Sequence, residues 1–335
     1  MPLDIRIPIQ EQTDVAAARR ECSEIARSID LDTNEVGKVG IVVTEAATNL
    51  LKHGGGGDIT ARPLLDGGGR AIEIIASDRG RGMADPASCF VDGYSTAGSP
   101  GTGLGAIARL SFFHQVYSVP EAGTVLLAQV GQPPKQADGI EVGGVSLPYP
   151  GEPVCGDAWS VHVDGGCCRL TVADGLGHGA MASEAANKAL AEVNGCCTPQ
   201  LAVLLNAMHG RLRSGRGAAI AIVDIDFANA TASFAGVGNV SGCVVADATP
   251  RRQMVSINGT VGHEMRKTQT YTYPLPPHCL VILHSDGIAT SWSLDKYPGL
   301  ATRSTSLIAA VLIRDFRRIR DDATVVVVRQ AQERG

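Results

Sequence analysis

The sequence predicts an α+β protein built as two successive domains. Three observations carry that expectation. The chain has 335 residues, 44% of them apolar and 19% charged, enough for two domains that each bury a core. Residues 131–139 read Gly-Gln-Pro-Pro-Lys-Gln-Ala-Asp-Gly, and the prolines, the flanking glycines and the lack of apolar pattern mark a linker. Strand patterns then come in runs, with helical patterns set apart, as in layered α+β proteins and not in a doubly wound parallel sheet. The expected boundaries are 1–132 for the first domain, 133–139 for the linker and 140–332 for the second.

In the first domain, Ile5 to Ile9 alternates as a strand does. Residues 14–29 place Val15, Ala18, Cys22, Ile25 and Ile29 on one helical face. Thr33 is the expected N-cap of the next helix, whose apolar face is Val36, Val39, Val43, Ala46 and Leu50. Residues 70–77 read as a strand. An irregular stretch over 80–103 precedes a short helix over 104–113, and Thr124 to Val130 closes the domain as a strand. In the second domain, strands are expected at 159–164, 167–173, 218–226, 230–236, 279–284 and 323–329. Asp164-Gly165-Gly166 joins the first two as a hairpin. Helices are expected at 179–194, 198–213 and 305–317.

Composition excludes several classes of function. The net charge is −5, and no Lys/Arg-rich stretch is interleaved with aromatics, so a nucleic-acid partner is not expected. The longest apolar run, Leu307 to Ile313, is far too short to span a bilayer. Residues 1–6 are too polar for a signal peptide core. The nine cysteines show no CxxC spacing. Together these features predict a cytoplasmic protein with reduced, mostly buried thiols. Cys167-Cys168 and Cys196-Cys197 have no His or Cys at ligand spacing, which leaves a metal site there without support.

Three elements of the first domain suit a nucleotide. Glu45 and Asn49 are one helical turn apart and share a face, which His53 continues. An amide there can complete the coordination of magnesium between phosphates. A carboxylate one turn earlier can take a proton from an attacking hydroxyl. Asp78 ends an apolar strand, followed by Gly80 and Gly82. It can accept a hydrogen bond from an adenine amino group while the glycines let the backbone approach the base. Gly101, Thr102, Gly103, Leu104 and Gly105 lead into a helix whose free N–H groups favour phosphate. Each element alone is commonplace; their order and spacing together carry the signal.

On those residues the first domain, over about 3–130, resembles the GHKL ATPase superfamily, closest to its RsbT-like anti-sigma serine kinases. Residues 43–49 look like the N-box of that family, residues 76–83 like its first glycine box, and Asp92 to Gly98 with the loop to Gly105 like its lid. The resemblance implies an α/β sandwich that binds ATP with Mg2+. It implies Asn49 as magnesium ligand, Asp78 as adenine contact and Glu45 as the base that activates a serine on a STAS-domain antagonist protein. It admits a homodimer. No dimerising helical hairpin with a phosphoacceptor His precedes the domain, which sets aside the histidine-kinase branch. No Lys or Arg lies between Arg81 and Arg109. The phosphate charge must then be met by magnesium, backbone amides, Lys52 or a partner's group.

The second domain places Asp157, Asp174, Asp286 and Asp321 at strand ends or tight turns. Ionised carboxylates crowd together only when cations separate them. Oxygen-only ligands select magnesium or manganese over zinc. Two such cations sharing a carboxylate can activate a water and aim it at a phosphorus. Any one Asp-Gly is most simply a turn; four in this order are not. Residues 155–159, 172–179 and 320–324 resemble the PPM-type phosphatases of the SpoIIE-like, RsbX-like branch, a match that covers about 140–330. The resemblance implies an αββα sandwich holding two Mn2+ or Mg2+. Asp174 would bridge them, the Gly175 carbonyl would hold one, and Asp286 and Asp321 the other. Asp157 would orient the attacking water or bind weakly. Asp322, next to Asp321, reads as a spectator or a supporting neighbour. His178 could give a proton to the leaving serine oxygen, although SpoIIE-like proteins often carry a small residue there.

Together the two sets predict a bifunctional regulator of a bacterial partner-switching pathway. One half would phosphorylate a Ser/Thr of a STAS-domain protein and the other would dephosphorylate that protein or a related one. The alternative is a phosphatase whose first domain binds ATP without chemistry and sequesters a sigma factor or a downstream activator.

Overall fold

The computed structural model describes residues 4–66, 68–86, 88–90, 103–134, 139–194, 200–246 and 249–331. The chain divides into two compact units, one of residues 1–136 with 302–314, the other of residues 137–301 with 315–335. Residues 135–138 of the expected linker lie outside the described residues.

The first unit runs β1 (Ile5–Ile9), α1 (Gln12–Ser28), α2 (Thr33–Asn49), β2 (Gly57–Asp66), β3 (Gly69–Ser77), α3 (Gly103–Leu110), β4 (Phe113–Ser118) and β5 (Thr124–Gln132). Its strands form an antiparallel sheet in the order β1-β2-β3-β5-β4. The strand period of two sends Ile72, Ile74 and Ala76 to one face. There they pack with Val39, Val43 and Ala46 of α2 and with Ala18 and Cys22 of α1. The other face holds a buried ion pair, Arg62 to Glu73 at 2.7 Å, with Gln129 donating to Glu73 at 2.7 Å. A buried charge needs such a partner.

The N-cap of α2 differs from the expectation. Asp32, not Thr33, is the cap: its Oδ1 accepts from the Glu35 amide at 2.8 Å, and Thr33 is already helical. A carboxylate here also meets the helix dipole, which a hydroxyl does not. Beyond Asn49 the helix loosens into a π-helical turn, Leu50–Gly54, closed by Gly55 at φ 70°. Strands β2 and β4 were not expected; β2 carries Arg62 and Pro63 in its middle, which broke the apolar alternation.

The second unit runs β6 (Ile140–Leu147), β7 (Asp157–Asp164), β8 (Cys167–Gly175), α4 (Ala180–Asn194), α5 (Leu201–Arg211), β9 (Ala218–Asp226), β10 (Thr231–Val237), β11 (Ser241–Ala246), β12 (Thr249–Gln253), β13 (Gly259–Thr260), β14 (Glu264–Met265), β15 (Tyr271–Pro274) and β16 (Leu280–His284), and ends on β17 (Ala323–Gln330). Two five-stranded antiparallel sheets form, β15-β10-β9-β8-β7 and β12-β11-β16-β17-β6. Leu170, Val223 and Phe234 of the first meet Val281, Leu283 and Val326 of the second in one core. The alternate residues Ile220, Ile222 and Val237 face Leu190 of α4 and Leu204 and Leu205 of α5. The β7–β8 hairpin turns on Gly165 and Gly166, at φ 57° and 81°. Strands β6, β11, β12 and β15 were not expected; β6 contains Gly143-Gly144, where a Cβ on Gly144 would lie 2.8 Å from Trp159.

Between β16 and β17 runs α6 (Thr305–Phe316). Residues 305–314 are buried all the way round, as an evenly apolar helix must be. Residues 302–314 belong to the first unit. Arg62 donates to Ser306 Oγ at 3.3 Å, and the Ser304 amide donates to Gln115 at 2.8 Å. Arg79 donates to the Arg314 carbonyl, and Arg314 reaches the Asp78 carbonyl at 3.5 Å.

Cys22, Cys168, Cys243 and Cys279 are buried free thiols, and Cys167 is a half-buried one; Cys196 and Cys197 lie outside the described residues. Among the described residues, no helix is long and apolar enough to cross a membrane.

Candidate functional sites, one in each unit

In the first unit, α2 presents Glu45 and Asn49 half-buried, one turn apart on the face that its buried Val42 shares. The start of α3 comes against them. A Cβ on Gly103 would sit 2.8 Å from Glu45 Oε2 and 3.8 Å from the Asn49 amide. Leu104 packs on the core and Gly105 is buried, which fixes the end of α3 that points at this pair. Gly101, Thr102 and the segment Asp92 to Gly98 lie outside the described residues.

Asp78 follows β3 directly. Its Oδ1 accepts from the Gly80 amide at 2.8 Å and the Thr124 amide at 3.2 Å. Those two bonds fix the carboxylate and leave Oδ2 to accept from a base amino group. Gly82 adopts φ 63°, and a Cβ there would meet the Val119 carbonyl at 2.1 Å, so the turn admits glycine alone. Burial, and then the charges of Arg81 and Lys52, hold His53 below the usual imidazole range.

In the second unit, strand pairing itself makes the acidic cluster. Asp157 at the start of β7 stands directly across from Asp174 at the end of β8. Like charges opposed on a ladder repel. Asp286 follows β16, and Asp321 and Asp322 precede β17, strands that pair with each other. Gly156 and Gly287 permit the approach: a Cβ on Gly156 would lie 2.5 Å from Asp322 Oδ2, and one on Gly287 1.8 Å from the Asp322 carbonyl.

Both oxygens of Asp157 and Oδ2 of Asp322 are buried without a hydrogen-bond partner. Burial first, then the nearby charge of Asp322, pushes the Asp157 carboxyl well above its ordinary range, against the opposing pull of Ser285. Burial, then the charges of Asp157, Asp286 and Asp321, does the same to Asp174. Burial, then Asp286, raises Asp321. Buried carboxylates without partners cost stability and need a compensating positive charge. Asp174, Asp286 and Asp321 line a cavity of about 500 Å³ together with Asn239, His178 and Arg320. Among the described residues, no three acidic, His or Cys side chains already enclose a single ion position.

Three residues of this site, Asn239, Tyr149 and Glu152, were not singled out from the sequence, and Arg320 was read as part of the 320–324 motif without a role of its own. Asn239 donates to Asp286 from the turn after β10, and its Gly-Asn signal was available. The Tyr149 amide donates to Asp322 Oδ1 at 2.7 Å, and Glu152 pairs with His178 at 2.7 Å. Neither Tyr149 nor Glu152 belongs to a patterned stretch, so only tertiary structure reveals them. Arg320 lines the cavity from beside Asp321.

Two families match successive parts of the chain. Residues 10–130 match the histidine kinase-like ATPase domain model, and residues 164–331 match that of stage II sporulation protein E, SpoIIE. The serine/threonine-protein kinase RsbT of Bacillus subtilis is 30% identical over 122 residues, 36% of this chain and 92% of that protein. The phosphoserine phosphatase RsbX of the same organism is 25% identical over 138 residues, 41% of this chain and 69% of that protein. A solved structure from the bacterial stressosome, described as a modular system adapted to control secondary messenger signalling, shares 28% identity at a TM-score of 0.53, covering 57% of this chain and 99% of its own. The crystal structure of RsbX in complex with magnesium shares the fold, at 22% identity and a TM-score of 0.50, covering 58% of this chain and 96% of its own.

Proposed function

We propose, because the chain belongs to the SpoIIE family through residues 164–331 and to the family of the kinase RsbT through its first unit, that it both adds and removes phosphate on a protein serine or threonine. The observation that carries this reading is the paired Asp157 and Asp174, with the partnerless oxygens of Asp157 and the partnerless Oδ2 of neighbouring Asp322, on one chain with the Glu45, Asn49 and Gly103 convergence.

The donor set fits two hard divalent cations, Mg2+ or Mn2+. It is all oxygen and partly buried, and the orphaned oxygens of Asp157 and Asp322 lie beside it. Asp174, the Gly175 carbonyl, Asp286 and Asp321 would hold the ions, with Asp157 behind them. When bound, the cations supply Lewis-acid stabilisation of the phosphoryl group and lower the pKa of water. The chain's own part is to fix the geometry. The β7–β8 pairing sets the spacing of Asp157 and Asp174, and Asn239 orients Asp286. Arg320 offers a guanidinium to the phosphate.

In the first unit, ATP with Mg2+ would take Asp78 at the base and Asn49 and the start of α3 at the phosphates. Glu45 would remove the proton of the incoming hydroxyl. The substrate we infer is a STAS-domain antagonist protein of a partner-switching pathway. Labelled ATP and candidate STAS proteins test the kinase. Label should transfer and persist longer with Asp174→Asn. No transfer by wild type, and none gained by the variant, removes the kinase reading. Release of phosphate from a phosphoserine protein with manganese tests the phosphatase, with Asp286→Asn as the inactive control.

A second reading rests on the missing cations between Arg81 and Arg109. There the first unit binds ATP only to shape a surface that sequesters a sigma factor or an activator. Glu45→Ala separates the two: it abolishes transfer and spares partner binding if the unit is a kinase.

A further inference from the structure

The acidic cavity of the second unit has an outer edge that the proposed metal chemistry does not use. Asp174, Asp286 and Asp321 stand half-buried in it, whereas Leu176, Arg216, Arg318, Ile319 and Arg320 are exposed. Leu176 and Arg320 line the cavity together with those carboxylates. Arg216 lies against Leu176, its Nη1 3.5 Å from the Leu176 carbonyl. Arg318 and Ile319 are the two residues that lead into Arg320. Leu176 is 54% exposed, and Ile319, at 79%, is the most exposed large apolar side chain among the described residues. Two lips result, one of Leu176 with Arg216, the other of Ile319 between two arginines.

Neither lip is a loose end. The Leu176 amide donates to the Gly217 carbonyl at 3.2 Å, which ties together the backbones that present Leu176 and Arg216. Ala218 then exchanges two backbone bonds with Val261, at 3.0 and 2.9 Å. On the other side, the Ala289 amide donates to the Phe316 carbonyl at 2.9 Å and the Arg318 amide to the Gly287 carbonyl at 2.7 Å. Arg318 and Arg320 form no ion pair among the described residues. A single exposed apolar side chain is ordinary. Two of them on fixed backbone, flanking one cavity and each beside arginine, have the composition of a protein-recognition surface.

We propose that these two lips dock the protein segment that carries the phosphoserine, and that they select a segment with an apolar side chain and carboxylates next to it. This rests on the phosphatase reading above and names its substrate class. With cations offsetting the half-buried carboxylates, the charge presented outward is that of the arginines, so the complementary segment is acidic. Arg320 is assigned to the phosphate, which leaves Arg216 and Arg318 for carboxylates of the segment. Leu176 and Ile319 leave water when an apolar side chain beside the phosphoserine settles on them. The lips take no part in breaking the phosphoester bond. Their effect is on binding, and it is read in KM while kcat stays in place.

Three phosphoserine peptides test this on the full chain with manganese. The first carries leucine and aspartates beside the phosphoserine, the second has serine in place of the leucine, and the third has lysines in place of the aspartates. Wild type should show a kcat/KM for the first about 10-fold above the second, the order of partly burying one apolar side chain. It should also prefer the first to the third, by a margin that shrinks as salt is added. Ile319→Ser should erase the preference for leucine by raising KM. Arg318→Glu should reverse the preference between aspartate and lysine. Turnover of p-nitrophenyl phosphate, too small to reach the lips, should stay unchanged in both variants and so demonstrates a folded site. Equal turnover of the three peptides by a wild type active on p-nitrophenyl phosphate overturns the proposal and leaves the phosphatase reading standing. Wild-type preferences kept in either variant, or p-nitrophenyl phosphate turnover falling as far as peptide turnover, overturn it too. A wild-type protein silent on every substrate instead removes the phosphatase reading, and this inference with it.

Discussion

Asp174 shows how far single residues set the balance between stability and chemistry here. It opposes Asp157 across the β7–β8 ladder, and burial and three neighbouring carboxylates push its own carboxyl upward. A neutral amide there removes the cost of burying an ionisable carboxyl among those neighbours. In a chelating buffer, Asp174→Asn should therefore be more stable than wild type by about 1 kcal/mol, a typical size for one poorly satisfied buried group. In manganese the order should reverse, because only wild type gains ligand-linked stability. Chemical denaturation with and without metal checks both signs, and a variant less stable than wild type in chelator would deny that the cluster is strained. At this scale the sequence was legible where an Asp ended an apolar strand, since the strand fixes where the carboxylate stands. It was not legible for Tyr149, Glu152 and Asp322. Their roles come from loop closure, and Asp322, expected as a bystander, is buried with an unpartnered oxygen.

Among elements, helix ends do most of the positioning. The N-cap of α2 is Asp32, whose carboxylate takes the Glu35 amide at 2.8 Å. Asp32→Ala should cost about 1 kcal/mol of stability in the first unit, and Thr33→Ala much less. Urea unfolding of the two variants distinguishes them. The start of α3 is the second case. The methyl of Gly103→Ala would land 2.8 Å from Glu45 Oε2, the far end of a flexible side chain. That carboxylate can swing away, so the fold should survive with its melting temperature unchanged. Phosphotransfer should fall roughly 10- to 100-fold, because the base is displaced by about 1 Å. Parallel melting and label-transfer measurements check this; loss of fold instead would place Gly103 in structure alone. Both helices were legible from their period. The strands that were missed, β2 and β6, carry Arg62 with Pro63 and a glycine pair, and they are strands because their neighbours pair with them. Propensity yields to tertiary context at such places.

For the whole molecule, the proposed pair of activities raises the question of what would keep them from cancelling. A kinase and a phosphatase meeting one substrate would consume ATP to no end, so the state of one site should bear on the other. The chain itself supplies a route. α6 lies in sequence between Asp286 and Asp321, yet residues 302–314 belong to the first unit, where Arg314 and Arg79 bracket Asp78. An evenly apolar run predicts burial but not the partner that buries it, which is why this allegiance could not be read from periodicity. A nucleotide that engages the Asp78 carboxylate acts beside the last turn of α6. From there the backbone runs to the Arg318 amide, which donates to the Gly287 carbonyl at 2.7 Å, next to Asp286. A non-hydrolysable ATP analogue should therefore change kcat for phosphoserine release, by severalfold if the coupling is of ordinary size, about 1 kcal/mol. Arg314→Ala should flatten that response without abolishing release. An identical rate with and without the analogue in wild type would leave the two activities independent, and would shift the burden of preventing waste from this chain to the availability of its substrates.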